Sequence, residues 1–217
     1  MRLGITPLMI CVSGAALAIS MPAASQAPEA ADTCVECHGE NGVSTDPTIP
    51  TIAGASPFFL ENQLIIYQEE ARPCAESVFE KADPKPADNH CALAQELSEE
   101  QVTALAEHFA DQQFRAAAQS FDAAMAETGA SLHDRHCDKC HTDAGTFTLD
   151  DAGILAGQWK EYLASTMKDY ASGARWQPEK MQPKVEELSD DDVKALLEYY
   201  AREGEQRWDA EPVKASQ

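Results

Sequence analysis

Two pentapeptides, Cys34-Val35-Glu36-Cys37-His38 and Cys137-Asp138-Lys139-Cys140-His141, are the residues of this chain whose types and spacing most plainly do chemistry. Two thiols on one turn can reach the two vinyl groups of a porphyrin, and the next residue then turns its imidazole toward the iron. A lone C-x-x-C pair would also serve a disulfide oxidoreductase or half of a zinc site. Neither of those needs the histidine, and neither explains a second copy. The expectation is two covalently bound haem c groups, one on Cys34 and Cys37 and one on Cys137 and Cys140, with His38 and His141 as the proximal iron ligands.

Each iron needs a donor on its other face. In the second half the candidate is Met181, in "GARWQPEKMQPK", forty residues after His141. The first half has no methionine between Met21 and Met125. Counting back from Leu97 as Met181 stands back from Leu188 lands on His90, which is therefore expected at the first iron. A solvated histidine at 90 and a thiolate from neighbouring Cys91 are the competing readings. Imidazole donates more strongly than a thioether and favours ferric iron, so the pairing predicts a lower-potential first haem beside a higher-potential second one.

Six cysteines follow Cys11, and four belong to the haem motifs. The remaining two, Cys74 and Cys91, are the number needed for one disulfide, which would hold His90 in place. A zinc site on Cys74, His90 and Cys91 lacks a fourth ligand at sensible spacing.

The elements that must position these groups repeat. From Cys34 to Arg72 the first half matches Cys137 to Arg175 at a constant offset of 103, through the Ala-Gly turns "TIAG" and "ILAG" and the tyrosines Tyr67 and Tyr170. Further on, "ELSEEQVTALAEHFA" matches "ELSDDDVKALLEYYA" at an offset of 91, so the first half carries twelve extra residues between Arg72 and Glu96. Helices are expected over residues 62–70 and 161–171, and after Ser98 and Ser189, where Gln101 and Asp192 complete capping boxes. Val102, Leu105 and Phe109, and Val193, Leu196, Leu197 and Tyr200, form their apolar stripes. Residues 115–136 read as a linker followed by the helix that presents the second motif. Arg72 and Arg175 are candidates for pairing with haem propionates, Pro50 and Gly153 for accepting the proximal imidazole N–H, and His108, His133 and His136 for solvated surface positions.

The fold class expected is all-α, two tandem haem-wrapped domains at 28–118 and 119–217. Residues 1–27 carry one charge, Arg2, an apolar run and then small residues, the layout of a cleaved signal peptide; a retained anchor is the alternative. Beyond it no stretch is apolar enough to span a bilayer. The formal charge of −21 disfavours nucleic acid and anionic lipid and suits either a basic partner or a saline habitat.

The motifs "CVECHGENG", "PTIAG", "CDKCH", "ILAGQW" and "GARWQPEKM" together resemble the dihaem class I cytochromes c of the cytochrome c4 type, relatives of the cytochrome subunit of flavocytochrome c sulfide dehydrogenase. The resemblance covers residues 34–113 and 126–202. It implies two cytochrome c folds in the periplasm exchanging electrons with other redox proteins, such as a flavoprotein dehydrogenase or a terminal oxidase. The family's first-domain methionine is His90 here, and its second-domain proline is Gly153. Electron transfer is the leading function; the alternative is a dihaem enzyme, a peroxidase or sulfur-compound oxidoreductase, with catalysis at the first haem.

Overall fold

The structure, a computed structural model, describes residues 28–74, 87–148 and 151–216; the segment expected to be a signal peptide and most of the first-half insertion lie outside the described residues. The first half runs α1 (Ala31–His38), α2 (Pro57–Gln68), α3 (His90–Gln95) and α4 (Glu99–Ala110). The second runs α5 (Ala123–His136), α6 (Lys160–Ala171), α7 (Gln182–Glu186) and α8 (Asp190–Arg207). Element for element, the order repeats, and the backbone repeats with it. Ile52 N donates to Gly42 O and Leu155 N to Gly145 O, both at 2.9 Å, while the Ala-Gly turns tie back to α4 and α8 through Gly54 N to Phe109 O and Gly157 N to Tyr200 O. Among the described residues no helix is long and apolar enough to cross a membrane.

Local chemistry explains the boundaries. Both expected capping boxes form, at Ser98 with Gln101 and at Ser189 with Asp192. One boundary departs from expectation: α2 begins five residues before Asn62, because the Ser56 side chain accepts from Phe59 N and Pro57 stands in the first helical turn. The apolar stripes are core. Leu105, Phe109 and Leu60 pack in the first half; Leu132, Leu163, Leu196 and Tyr200 pack in the second. Val193 is only half-buried. The α5–α8 crossing is tight enough that a Cβ on Gly129 would stand 2.0 Å from Ala195 O.

The linker is not loose. Phe114, Ala116 and Ala117 are buried, and the segment pairs with the C-terminal tail, where Ala118 N donates to Val213 O and Val213 N to Ala116 O. Two residues of the second half then lock onto the first. The Gln158 amide accepts from Thr51 N at 3.0 Å and donates to Thr51 O at 2.8 Å, and Trp159 Nε1 donates to Ser44 O at 3.1 Å. All four residues are buried in the interface. Gly153 meets the first half in a different way: a Cβ there would lie 2.8 Å from Phe59 Cζ, so the Phe59 ring occupies the space a proline would need.

Cys74 and Cys91 are joined in a disulfide with their Cα atoms 5.2 Å apart. That bond consumes both leftover thiols and so removes Cys91 as a thiolate donor and the pair as zinc ligands.

Two outcomes test these contacts. Gln158→Leu strands the Thr51 N–H and C=O in the interface and is expected to lower the unfolding free energy of the haem-loaded protein by about 2 kcal/mol or more, read by calorimetry. Cys74→Ser with Cys91→Ser releases a loop of separation 17 and is expected to cost about 3 kcal/mol on loop-closure grounds, read by denaturant unfolding.

Candidate functional site

The first motif lies wholly on α1, so Cys34, Cys37 and His38 share one helix face at i, i+3 and i+4. Burial pushes the Cys34 thiol up to about 11 and also raises Cys37. In the second half Cys137 is raised as well, again chiefly by burial. A redox-active C-x-x-C pair has the opposite property, a thiol depressed toward thiolate. The second motif sits just beyond α5, where Cys140 N and His141 N both return to Cys137 O at 3.0 and 2.9 Å. The two motifs therefore present the same residues from a helix in one half and from a turn in the other.

His38 Nδ1 lies 2.8 Å from Pro50 O. An N–H at Nδ1 donates there, which leaves the Nε2 lone pair for a metal. Burial lowers the His38 pKa and keeps the imidazole neutral. Facing it is His90, the first residue of α3, capped by Asn89, whose side chain accepts from Ala92 N. Its backbone N donates to Cys74 O at 3.0 Å, beside the disulfide. Burial first, then His38 and Arg72, push the His90 pKa down to about 3. The two rings stand 6.4 Å apart between centroids and nearly perpendicular, at 84°. Two imidazole nitrogens sharing one metal ion at about 2 Å, with ring centres about 1.1 Å further back, give a separation of about 6.2 Å. The spacing fits a six-coordinate iron.

The cavity around this pair measures about 750 Å³ and takes in Cys34, Cys37, Leu64 and Phe109 together with Ile154 and Tyr162 of the second half. Its size and mostly apolar lining fit a porphyrin. The Tyr67 ring stacks on His90 at 3.9 Å, and the Arg72 guanidinium lies 4.1 Å over Tyr67.

Arg72 and Arg175 converge at the far side. Gln63 Oε1 accepts from Arg72 Nη1 at 2.6 Å and from Arg175 Nη2 at 2.5 Å, and Arg175 Nη1 donates to Thr166 Oγ1 at 3.1 Å. The Nε atoms of both arginines are buried without a hydrogen-bond partner in the protein. Burial raises the Tyr162 phenol, yet Arg175 and then Arg72 outweigh it and bring its pKa down to about 8. Two cations, Arg175 buried and Arg72 half-buried, sharing one neutral amide call for an anion, and propionates on a haem would supply it.

Met181 caps α7 as His90 opens α3, so the two stand at equivalent places of the repeat. One expectation fails: His133, taken as solvated, is 1% exposed and bonded to Tyr200. Sequence reading also missed Gln63, Thr166, Gln158 and Trp159. A signal for the last two existed: their repeat partners are Ala55 and Ser56, a departure from the copy at the point where the halves meet.

The family described as cytochrome c oxidase, cbb3-type, subunit III matches residues 124–199. Cytochrome c4 of Azotobacter vinelandii is 26% identical over 204 residues, covering 88% of this chain and 93% of that protein. The thiosulfate dehydrogenase electron acceptor of Stutzerimonas stutzeri is 35% identical over 78 residues, 36% of this chain and 32% of that protein. In fold, cytochrome c4 of Acidithiobacillus ferrooxidans superposes with a TM-score of 0.63 at 23% identity, over 78% of this chain and 98% of that one. Motifs, repeat, fold and relatives agree: the chain is similar to cytochrome c4, has the all-α fold of two tandem cytochrome c domains, and is a c-type, haem-binding electron-transfer protein.

Proposed function

We propose that the chain is a periplasmic electron carrier with two unequal haem sites. His38 and His90 hold the first iron, His141 and Met181 the second, and Cys34, Cys37, Cys137 and Cys140 carry the thioether links, the domains meeting near residue 118. The observation that carries this reading is the 6.4 Å separation of the His38 and His90 rings. When bound, each haem supplies a one-electron ferric/ferrous couple. The chain supplies everything that makes the two couples differ. At the first site Pro50 O orients His38, and α3 and the disulfide present His90 as a neutral donor. At the second, Met181 offers a thioether, a weaker donor that favours the ferrous state. Electrons therefore run downhill from the first site to the second.

The arginine pair stands where the two halves meet. By meeting propionates across the interface, Arg72, Arg175 and Gln63 would hold the two haems in fixed relation, which a relay requires. An enzyme working at the first iron needs an open position or a thiolate there; a buried His90 opposite His38, and Cys91 tied into a disulfide, favour the carrier instead.

The donor we infer is a dehydrogenase of small sulfur compounds, a reading supported by the relative that accepts electrons from thiosulfate dehydrogenase. The formal charge of −21 favours a donor or acceptor that presents a basic face, with association slowing as salt rises.

Near-infrared magnetic circular dichroism of the oxidised haem-loaded protein is expected to show one bis-histidine and one histidine–methionine band set; a high-spin or thiolate signal in place of the first overturns the His90 assignment. His90→Met is expected to raise the first potential and leave the second, a shift within the roughly 0.8 V that axial ligation commands, read by spectroelectrochemical titration.

A further inference from the structure

His133 and Tyr200 form a polar pair that the electron-carrier reading does not use. His133 Nδ1 lies 3.0 Å from the Tyr200 hydroxyl, and its side chain is 2% exposed. The Tyr200 hydroxyl is also within hydrogen-bonding reach of the Cys137 sulfur. That thiol stands where the haem-loaded chain has a thioether, which keeps lone pairs and has no hydrogen. On its other edge His133 Nε2 faces the exposed Asp138 carboxylate at 3.6 Å. At the equivalent places of the repeat the first half has Ala30 and Phe109, neither of which can form such a pair.

The Tyr200 hydroxyl has one proton and two places to put it. With a neutral His133, the Asp138 carboxylate favours the tautomer with N–H on Nε2, so Nδ1 accepts from Tyr200 and the sulfur has no donor. With a proton on both ring nitrogens, Nδ1 donates to the tyrosine oxygen, and the hydroxyl turns to the sulfur. A donor on the sulfur and a cation nearby both stabilise the ferrous state. The charged and titratable groups around His133 are Asp134 and Asp138 from its own segment, and Tyr199, Tyr200 and Arg207 from α8. Burial lowers its pKa most, the two aspartates raise it and Arg207 lowers it. The imidazole is therefore neutral at pH 7 and charges on the acid side.

We propose that His133 and Tyr200 are positioning residues that set the potential of the second haem through the Cys137 sulfur, one proton on His133 accompanying the electron. With a haem held on Cys137 and Cys140, the one electron supplied by a reduced donor protein would be accompanied, on the acid side, by one proton passing from solvent to the His133 ring. The tyrosine O–H turns from Nδ1 to Sγ, and no bond to iron or sulfur forms or breaks. The first haem lacks this coupling.

The proposal rests on a haem at the second motif, and the test separates the two. Each haem's potential is followed against pH in the haem-loaded protein, with mass spectrometry counting covalent haems and magnetic circular dichroism marking the methionine-ligated one. In the wild type the second potential is expected to rise as pH falls on the acid side of the ordinary histidine range, where burial places the His133 titration. His133→Phe removes that rise, and Tyr200→Phe, which deletes a single oxygen, lowers the acid-side second potential; neither moves the first. A rise that persists undiminished in His133→Phe overturns the proposal. So does a Tyr200→Phe protein in which both potentials move equally or neither moves. A chain with no haem on Cys137 and Cys140 overturns the two-haem reading itself, whereas two haems with a pH-flat second potential overturn only this inference.

Discussion

The gap between the His38 and His90 rings is the constraint around which the first domain is organised. An imidazole is a useful iron ligand only when it is neutral, correctly turned and unable to drift away. His38 meets these conditions through burial and the Pro50 carbonyl. His90 meets them through a different set of contacts. Its backbone is tied to Cys74 by a hydrogen bond and a disulfide one residue on, and its ring is stacked on Tyr67. Its neighbourhood also repels a proton, since His38 and Arg72 add to the cost of burial. The disulfide joins Cys74 to Cys91, the residue after His90, so the added chain and the proposed change of ligand would belong to one structural alteration. A longer loop presents its donor less firmly, and a covalent tie across its base offsets that loss.

A second constraint is electrostatic. In a chain of formal charge −21, two guanidiniums, Arg175 buried and Arg72 half-buried, stand side by side with a single glutamine oxygen between them. Buried like charges at such proximity are unfavourable unless an anion joins them. The Tyr162 phenol, brought down to about 8 by their field, registers the same imbalance. Arg72 and Gln63 come from the first half, Arg175 and Thr166 from the second. Whatever anion settles there binds both domains, which ties haem loading to the relative position of the halves.

Much of this was legible in the sequence because it depends on spacing. The C-x-x-C-H motifs, the offsets of 103 and 91 and the capping boxes at Ser98 and Ser189 each encode a local rule, and the structure follows them. Contacts made across the repeat were not legible. Gln158 pairs with Thr51, 107 residues away, and nothing local to Gln158 marks it as an interface residue. The start of α2 was misplaced because Ser56 caps it through a bond that apolar periodicity does not register. His133 looked like a surface histidine because it follows polar and charged neighbours on α5. Its burial is decided by α8, which closes over it at the Gly129 crossing.

The two halves share a scaffold, and the places where the copies disagree carry the functional content. Where both keep the same residue, as at the Ala-Gly turns, the tyrosines and the arginines, that residue builds a domain or grips a haem. Where they differ, the difference falls on a task that only one domain has. Gln158 and Trp159 against Ala55 and Ser56 make the interface one-sided, with the second domain reaching into the first. His90 against Met181, as the proposed iron ligands, would separate the two sites in potential. His133 and Tyr200 against Ala30 and Phe109 give the second site a polar chain that reaches the surface at Asp138. A symmetric pair of domains would hold two equivalent electrons with no preferred direction. Each of these differences breaks that equivalence, and on the proposed readings the last two would act on the same quantity, the potential of one iron relative to the other. On the proposed ligand set, such a carrier would receive at the first domain and release at the second, with a direction written in the residues that the repeat did not keep.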